Sequence, residues 1–166
     1  MAYFTFTYDK GYPVISINTE NGGNLSGKIT LPAFDNKGNI IKGVGNLLAY
    51  RADGNKSAVP DVPLGSNITH IFFAKDSNYE HVEDFAFTLG TVGSTVRKLT
   101  GVYLPDTIRT IGNYAFYYQY YLEDVILNDN ITSIGINAFD MGYSVNGKAK
   151  ITTLPKNLTS LGDYAF

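Results

Sequence analysis

"TIRTIGNYAF" (107–116) closes on a phrase that this chain uses again. "ITSIGINAF" follows at 131–139 and "LTSLGDYAF" at 158–166. The distances between copies set a period. Phe116 to Phe139 is 23 residues and Phe139 to Phe166 is 27; Leu104, Leu127 and Leu154 reproduce both spacings. Further back, "VEDFAF" (82–87) matches "IGNYAF", with 29 residues from Phe87 to Phe116. The longer steps fit a 23-residue unit with insertions of 6 and 4, placed in "TLGTVGSTVRK" (88–98) and "MGYSVNGKAK" (141–150). Both segments are rich in Gly, Ser, Thr or Asn, as surface loops are. A fixed period between about 20 and 50 residues marks a solenoid, in which no coil can bury its own apolar face alone.

The unit reads Leu-x-x-Val/Ile-x-Leu-Pro-x-x-Ile-x-x-Ile-Gly-x-x-Ala-Phe. It is clearest in "LTGVYLPDTIRTIGNYAF" (99–116) and "LEDVILNDNITSIGINAF" (122–139). "ITHIFFAKDSNYEHVEDFAF" (68–87) fits with two extra residues, and the last unit, from about 149, is disturbed at its strand. "KITLPAFDNKGNIIKGVGNLLAY" (28–50) reads as a degenerate first unit, with Val44-Gly45 standing for Ile-Gly. Alternation in "VYL" and "VIL" predicts a short strand with one face inward. Pro105 and Pro155 then end it, because proline cannot donate to a ladder. Ile108 and Ile111, at i and i+3, predict a helical or 3₁₀ turn. Gly112, Gly135 and Gly162 are expected at a positive φ or at a close backbone approach. Ala suits the crowded slot beside them, and each Phe ring is expected to stack on the next.

This pattern resembles the BspA-like leucine-rich repeats, whose unit runs approximately Ile-Gly-x-x-Ala-Phe-x-x-Cys-x-x-Leu-x-x-Ile-x-Leu-Pro. The resemblance covers 68–166 clearly and 28–50 weakly, and Gln119 stands where the family places a packing Cys. It implies a repeat solenoid with a parallel β-sheet on the concave face and short helical or 3₁₀ turns and loops on the convex face. Residues 1–27 would form a β-rich N-terminal cap, and 28–166 a solenoid of about five units, truncated at its C-terminal end. It also implies a bacterial cell-surface or secreted protein used in adhesion or host contact.

Composition narrows the function. A chain of 166 residues suffices for one sizeable domain, which buries roughly 70% of its unfolded surface. Hydrophobic content of 44% against 17% charged argues against disorder. Thirteen basic and fifteen acidic residues, net charge −2, leave no footprint for nucleic acid or an anionic membrane. With no Cys, disulfides, thiolate catalysis and Cys-ligated zinc are excluded. No apolar run approaches the roughly 18–20 residues of a membrane span, so membrane insertion is not expected. "MAYFTFTYDKG" (1–11) lacks the pattern of a signal peptide, so either the protein is intracellular or its targeting segment lies elsewhere in a longer chain.

Chemistry-bearing motifs are scarce. His70 and His81 have no metal-ligand spacing, Ser94 and Ser160 no nucleophile elbow, and "GGNLSGK" (22–28) no Walker pattern. "NDN" (128–130) and Asp140 lack an oxygen-ligand loop of adequate charge for calcium. No catalytic residue, metal site or cofactor is therefore expected. The sequons at Asn67, Asn130 and Asn157 invite a glycosylation reading; the alternative is that two of them arise because Asn suits the turn and an apolar residue then Thr follow by repeat. His81 should sit at a boundary position.

Strand parity supplies the functional candidates. If Ile71, Phe73, Val102, Leu104, Val125 and Leu127 face the core, Phe72, Tyr103 and Ile126 face outward, with His70, Gly101 and Asp124 beside them. At about 4.8 Å per strand, the first three would form an apolar row roughly 10 Å long. Such a row marks an interaction site, or is a β surface that merely favours these side chains. His70 would either contact a ligand or be solvated. Tyr118 and Tyr121, in "AFYYQYYLED" (115–124), form a second aromatic candidate, expected to be exposed, with packing at the coil edge as the alternative. The leading expectation is a non-catalytic module binding a protein or glycan through its concave sheet. The alternative is a structural spacer, or a module that associates end to end through the uncapped coil at Phe166.

Overall fold

A computed structural model of the chain describes residues 3–55, 58, 60, 62–65, 67–88, 98–140 and 151–166. Ser94 and the bulk of the two segments expected as inserted loops lie outside the described residues. In chain order, the strands are β1 (Phe4–Thr7), β2 (Val14–Ile17), β3 (Gly27–Leu31), β4 (Gly43–Val44), β5 (Ala49–Tyr50), β6 (Val62–Pro63) and β7 (Ile68–Phe73). They continue with β8 (His81–Val82), β9 (Gly101–Val102), β10 (Thr110–Ile111), β11 (Asp124–Val125), β12 (Ser133–Ile134) and β13 (Ser160–Leu161). Two stacked sheets result. One has the order β11-β9-β7-β3, all parallel. The other runs β1-β2-β4-β8-β10-β12-β13, parallel except for the antiparallel β1–β2 pair. β5 and β6 form a separate antiparallel pair.

The units carrying β3–β4, β7–β8, β9–β10 and β11–β12 thus each contribute one strand to each sheet and bury the space between, and the last described unit adds β13 to the second sheet. Ile71, Val102 and Val125 project inward from the first sheet; Val44, Val82, Ile111 and Ile134 project from the second. The repeated Phe fills the interval. Rings of Phe87, Phe116, Phe139 and Phe166 stack in series at 4.8, 4.7 and 5.4 Å. Each such contact contributes about 0.5–1.5 kcal/mol beyond the area it buries. Ala86, Ala115 and Ala138 are fully buried beside them.

The convex side departs from the helical turn expected around Ile108 and Ile111. Ile111 lies in β10, and the only helix among the described residues is one 3₁₀ turn, Gly22–Asn24. The reason is where the amides find partners. Gly112 N–H donates to the Val82 carbonyl at 2.8 Å, and Gly135 N–H to the Ile111 carbonyl at 2.8 Å. Bonds therefore run between coils and not along one turn, and stacking satisfies the backbone.

Close approach, not positive φ, explains the repeated glycine. A Cβ on Gly112 would lie 2.5 Å from both the Asp84 backbone nitrogen and its Oδ1. Left-handed backbone falls two residues later, at Phe85, Tyr114, Asn137 and Tyr164, with φ of 62°, 55°, 50° and 55°. That slot lets Tyr114 N–H and Phe116 N–H both reach carbonyls of the next coil, Ile136 at 2.8 Å and Ala138 at 2.7 Å. Gln119, at the Cys slot, is fully buried and donates Nε2 to the Phe87 carbonyl. Its Oε1 finds no partner among the described residues. Because a backbone atom blocks the added methyl, Gly112→Ala should lower stability by about 1–3 kcal/mol in urea unfolding. An unchanged midpoint would mean that the coils are not packed this closely.

Candidate binding surface on the concave sheet

Register across the first sheet sets the rows of its outer face. Lys28, His70, Gly101 and Asp124 form one row. Two residues on, Thr30 pairs with Phe72, and the same parity carries the row to Tyr103 and Ile126. Residues between the rows, Ile71, Val102 and Val125, are buried, which fixes the orientation of the others.

The two aromatics act as one unit. Phe72 and Tyr103 have ring centroids 4.6 Å apart and planes 2° from parallel. Parallel rings that close cannot lie side by side in one plane, so they face each other and present edges outward. His70 lies parallel to both, 6.4 Å from Phe72 and 6.3 Å from Tyr103. Its Nδ1 is 3.0 Å from Thr69 Oγ1, which fixes the ring against the sheet. Tyr103 OH donates to Asp124 Oδ2 at 3.1 Å. Desolvation, then this bond and the carboxylate charge, raise the Tyr103 phenol above its ordinary pKa of 10.0. Ile126 stands apart from the stack and is 77% exposed, while Tyr103 is 39% exposed and Phe72 half-buried.

The surface is therefore an aromatic slab, with a carboxylate aimed into it and a free aliphatic side chain beyond. Gly101 makes this possible. A Cβ there would meet His70 Cδ2 at 2.8 Å and Tyr103 Cε2 at 3.1 Å, so the missing side chain leaves the space the rings occupy. Parity in "HIFF", "GVYL" and "DVIL" places His70, Phe72, Tyr103, Asp124 and Ile126 on one face of the sheet. It did not reach Lys28 and Thr30, although "KITL" (28–31) carries the same alternation.

The tyrosine cluster differs from its expectation. Tyr118 is half-buried, takes a left-handed φ of 58°, and stacks on Tyr117 at 3.9 Å and Tyr120 at 5.5 Å. Tyr121 alone of the expected pair is exposed, at 39%. Packing at the coil edge explains Tyr118, since Tyr117 also meets Tyr114 edge-on at 5.2 Å. His81 is half-buried on the outer face of the second sheet, stacked on Tyr12 at 4.8 Å. Asn130 Nδ2 donates to the Asp106 carbonyl at 2.9 Å, a coil-to-coil contact that accounts for this residue.

The family model for the BspA type leucine rich repeat region (6 copies) matches residues 94–166. Over residues 94–166 the repeats match the BspA leucine-rich type. Two solved structures share the fold. The pneumococcal vaccine antigen PcpA is 20% identical with a TM-score of 0.58, over all of this chain and 46% of its own. A leucine-rich repeat protein from Bacteroides ovatus is 20% identical with a TM-score of 0.52, over all of this chain and 32% of its own. The chain spans less than half the length of either. No curated protein matches it.

Phe72 and Tyr103 lie on the outer face of the sheet and are not part of the buried core. Gly101→Ala should displace Tyr103 and break its ring contacts, leaving the thermal midpoint within a few degrees. Aromatic nuclear Overhauser contacts between Phe72 and Tyr103 would report this, and their survival would show that Gly101 is not the spacer. Asp124→Asn should bring the Tyr103 phenol back toward 10.0 in an alkaline titration of ring-labelled tyrosine.

Proposed function

We infer that the chain is a non-catalytic binding module of a bacterial cell-surface or secreted protein, engaging a protein or glycan ligand through the concave sheet. The observation that carries this is the Phe72–Tyr103 stack, partly exposed and anchored at Asp124. Tyr and Phe offer large contact area with few rotatable bonds, so ordering them on binding costs little. Ile126 adds apolar area at one side, and Lys28 and Asp124 place opposite charges at the ends of one row. A protein partner would close over the ring edges. A sugar would stack on the outer Phe72 face, above the short Thr30 side chain.

The repeat family and the fold shared with bacterial leucine-rich-repeat proteins support an extracellular or surface address and a role in adhesion or host contact. In this reading 1–27 is the cap and 28–166 the solenoid. End-to-end self-association is a separate reading, which rests on the stacking surface that a repeat coil offers to a further coil. A concentration-independent monomer in sedimentation would remove it.

The test is a screen of glycans and host-matrix proteins, with Phe72→Ala/Tyr103→Ala run alongside. Ligand binding should be lost in the double variant while the thermal midpoint stays within a few degrees. Unchanged binding by the variant would overturn the concave-face reading.

A further inference from the structure

Sheet edges expose unpaired amides, and this molecule treats its edges differently. β3, at one edge of the concave sheet, carries Lys28 and a register shift between Gly27 and Lys28. Charge and bulge are the usual means of closing an edge to further strands. β1, at the edge of the second sheet, reads Phe-Thr-Phe-Thr, with no charge, proline or register shift. Aromatic and β-branched residues are those that favour pairing.

The ladder shows which amides face outward. Asn18 N–H donates to the Tyr3 carbonyl at 2.9 Å, one step beyond the Phe4–Ile17 pair. Hydrogen-bonded and non-bonded pairs alternate along an antiparallel ladder. Thr5–Ser16 and Thr7–Val14 therefore exchange the bonds to β2, while Phe4 and Phe6 turn N–H and C=O to the free edge. No strand among the described residues pairs there.

An open groove of about 340 Å³ runs along this edge, lined by Phe4, Thr5, Phe6, Tyr8, Asn36 and Lys37. Its wall is the 34–40 segment, closed by a Phe34–Ile40 bridge. Asp35 fastens that wall. Its Oδ2 accepts Tyr8 OH at 2.6 Å, and its Oδ1 accepts the amides of Lys37 and Asn39 at 2.8 Å each. Lys37 Nζ sits 4.7 Å from the Tyr8 ring centroid, and none of the ion pairs among the described residues includes it. The rim thus holds an ammonium in place without a carboxylate partner.

We propose that the β1 edge receives an extended peptide segment as an added strand, with an acidic side chain set toward Lys37. Backbone bonds to Phe4 and Phe6 supply affinity, the aromatic rings an apolar floor, and Lys37 the charge preference. The site lies on the other sheet from the aromatic slab and stands whether or not the concave reading does.

The probe is fluorescein-labelled acetyl-Glu-Val-Thr-Val-Thr-Val-amide, titrated by fluorescence polarisation to about 1 mM. Saturable binding is expected, with amide exchange at Phe4 and Phe6 slowed about tenfold or more in the complex. Lys37→Glu should weaken binding about tenfold, and a probe with Lys in place of Glu should bind that variant better than it binds the native chain. Phe6→Pro, which removes an outward N–H, should abolish binding; should it fail to fold, the exposed Lys37→Glu carries the test. No saturable binding, binding indifferent to the charge exchange, or unprotected Phe4 and Phe6 amides would each overturn the proposal. Dimers sealed through β1 in sedimentation without probe would also overturn it, by giving the edge to a second copy.

Discussion

Where Gly135 passes the preceding coil, an added Cβ would lie 2.6 Å from the Asn113 backbone nitrogen and 2.7 Å from the Gly112 carbonyl carbon. Backbone meeting backbone at that distance sets the spacing of the coils. It brings the Phe rings of successive units to 4.7–5.4 Å and the strands of both sheets into hydrogen-bonding range. The left-handed residue two positions later aims amides at the next coil, so each unit is held by its neighbours more than by itself. Glycine, the left-handed slot, Ala and Phe recur together at 112–116, 135–139 and 162–166, while 83–87 keeps the last three with Glu83 in the glycine position.

The outer face of the concave sheet inherits this spacing. Phe72 and Tyr103 belong to neighbouring coils, and their ring separation of 4.6 Å is essentially the strand separation. Core stacking therefore pre-aligns the surface stack. What is local to the site is Gly101, which clears room for the rings, and Asp124, which holds the Tyr103 hydroxyl. β1 lies outside this regime, because it pairs antiparallel and no strand among the described residues pairs with its other side.

The solenoid was legible because the Phe and Leu spacings agree, and period alone decides that architecture. The inward and outward assignment of 70–73, 101–104 and 124–127 was legible because alternation of two residues leaves one choice of face. The second sheet was not. Its repeat strands, β4, β8, β10, β12 and β13, are two residues long, and Ile108 and Ile111, three apart, mimic a helical turn when one coil is read alone. Only the bonds between coils, invisible in sequence, distinguish the two. Lys28 and Thr30 escaped for a related reason, since the long connection from β3 to β7 and the shift at Gly27/Lys28 hide the pairing. Tyr118 looked exposed because nothing in "AFYYQYYLED" announces its left-handed backbone or its two ring neighbours.

The most direct measurement is a hydrogen-exchange footprint of the chain bound to whichever matrix protein or glycan it captures. The account predicts slowed exchange across β7, β9 and β11, centred on residues 70–73, 101–104 and 124–127. Protection confined to the second sheet, with those segments unchanged, would contradict it and would place the ligand on the convex side.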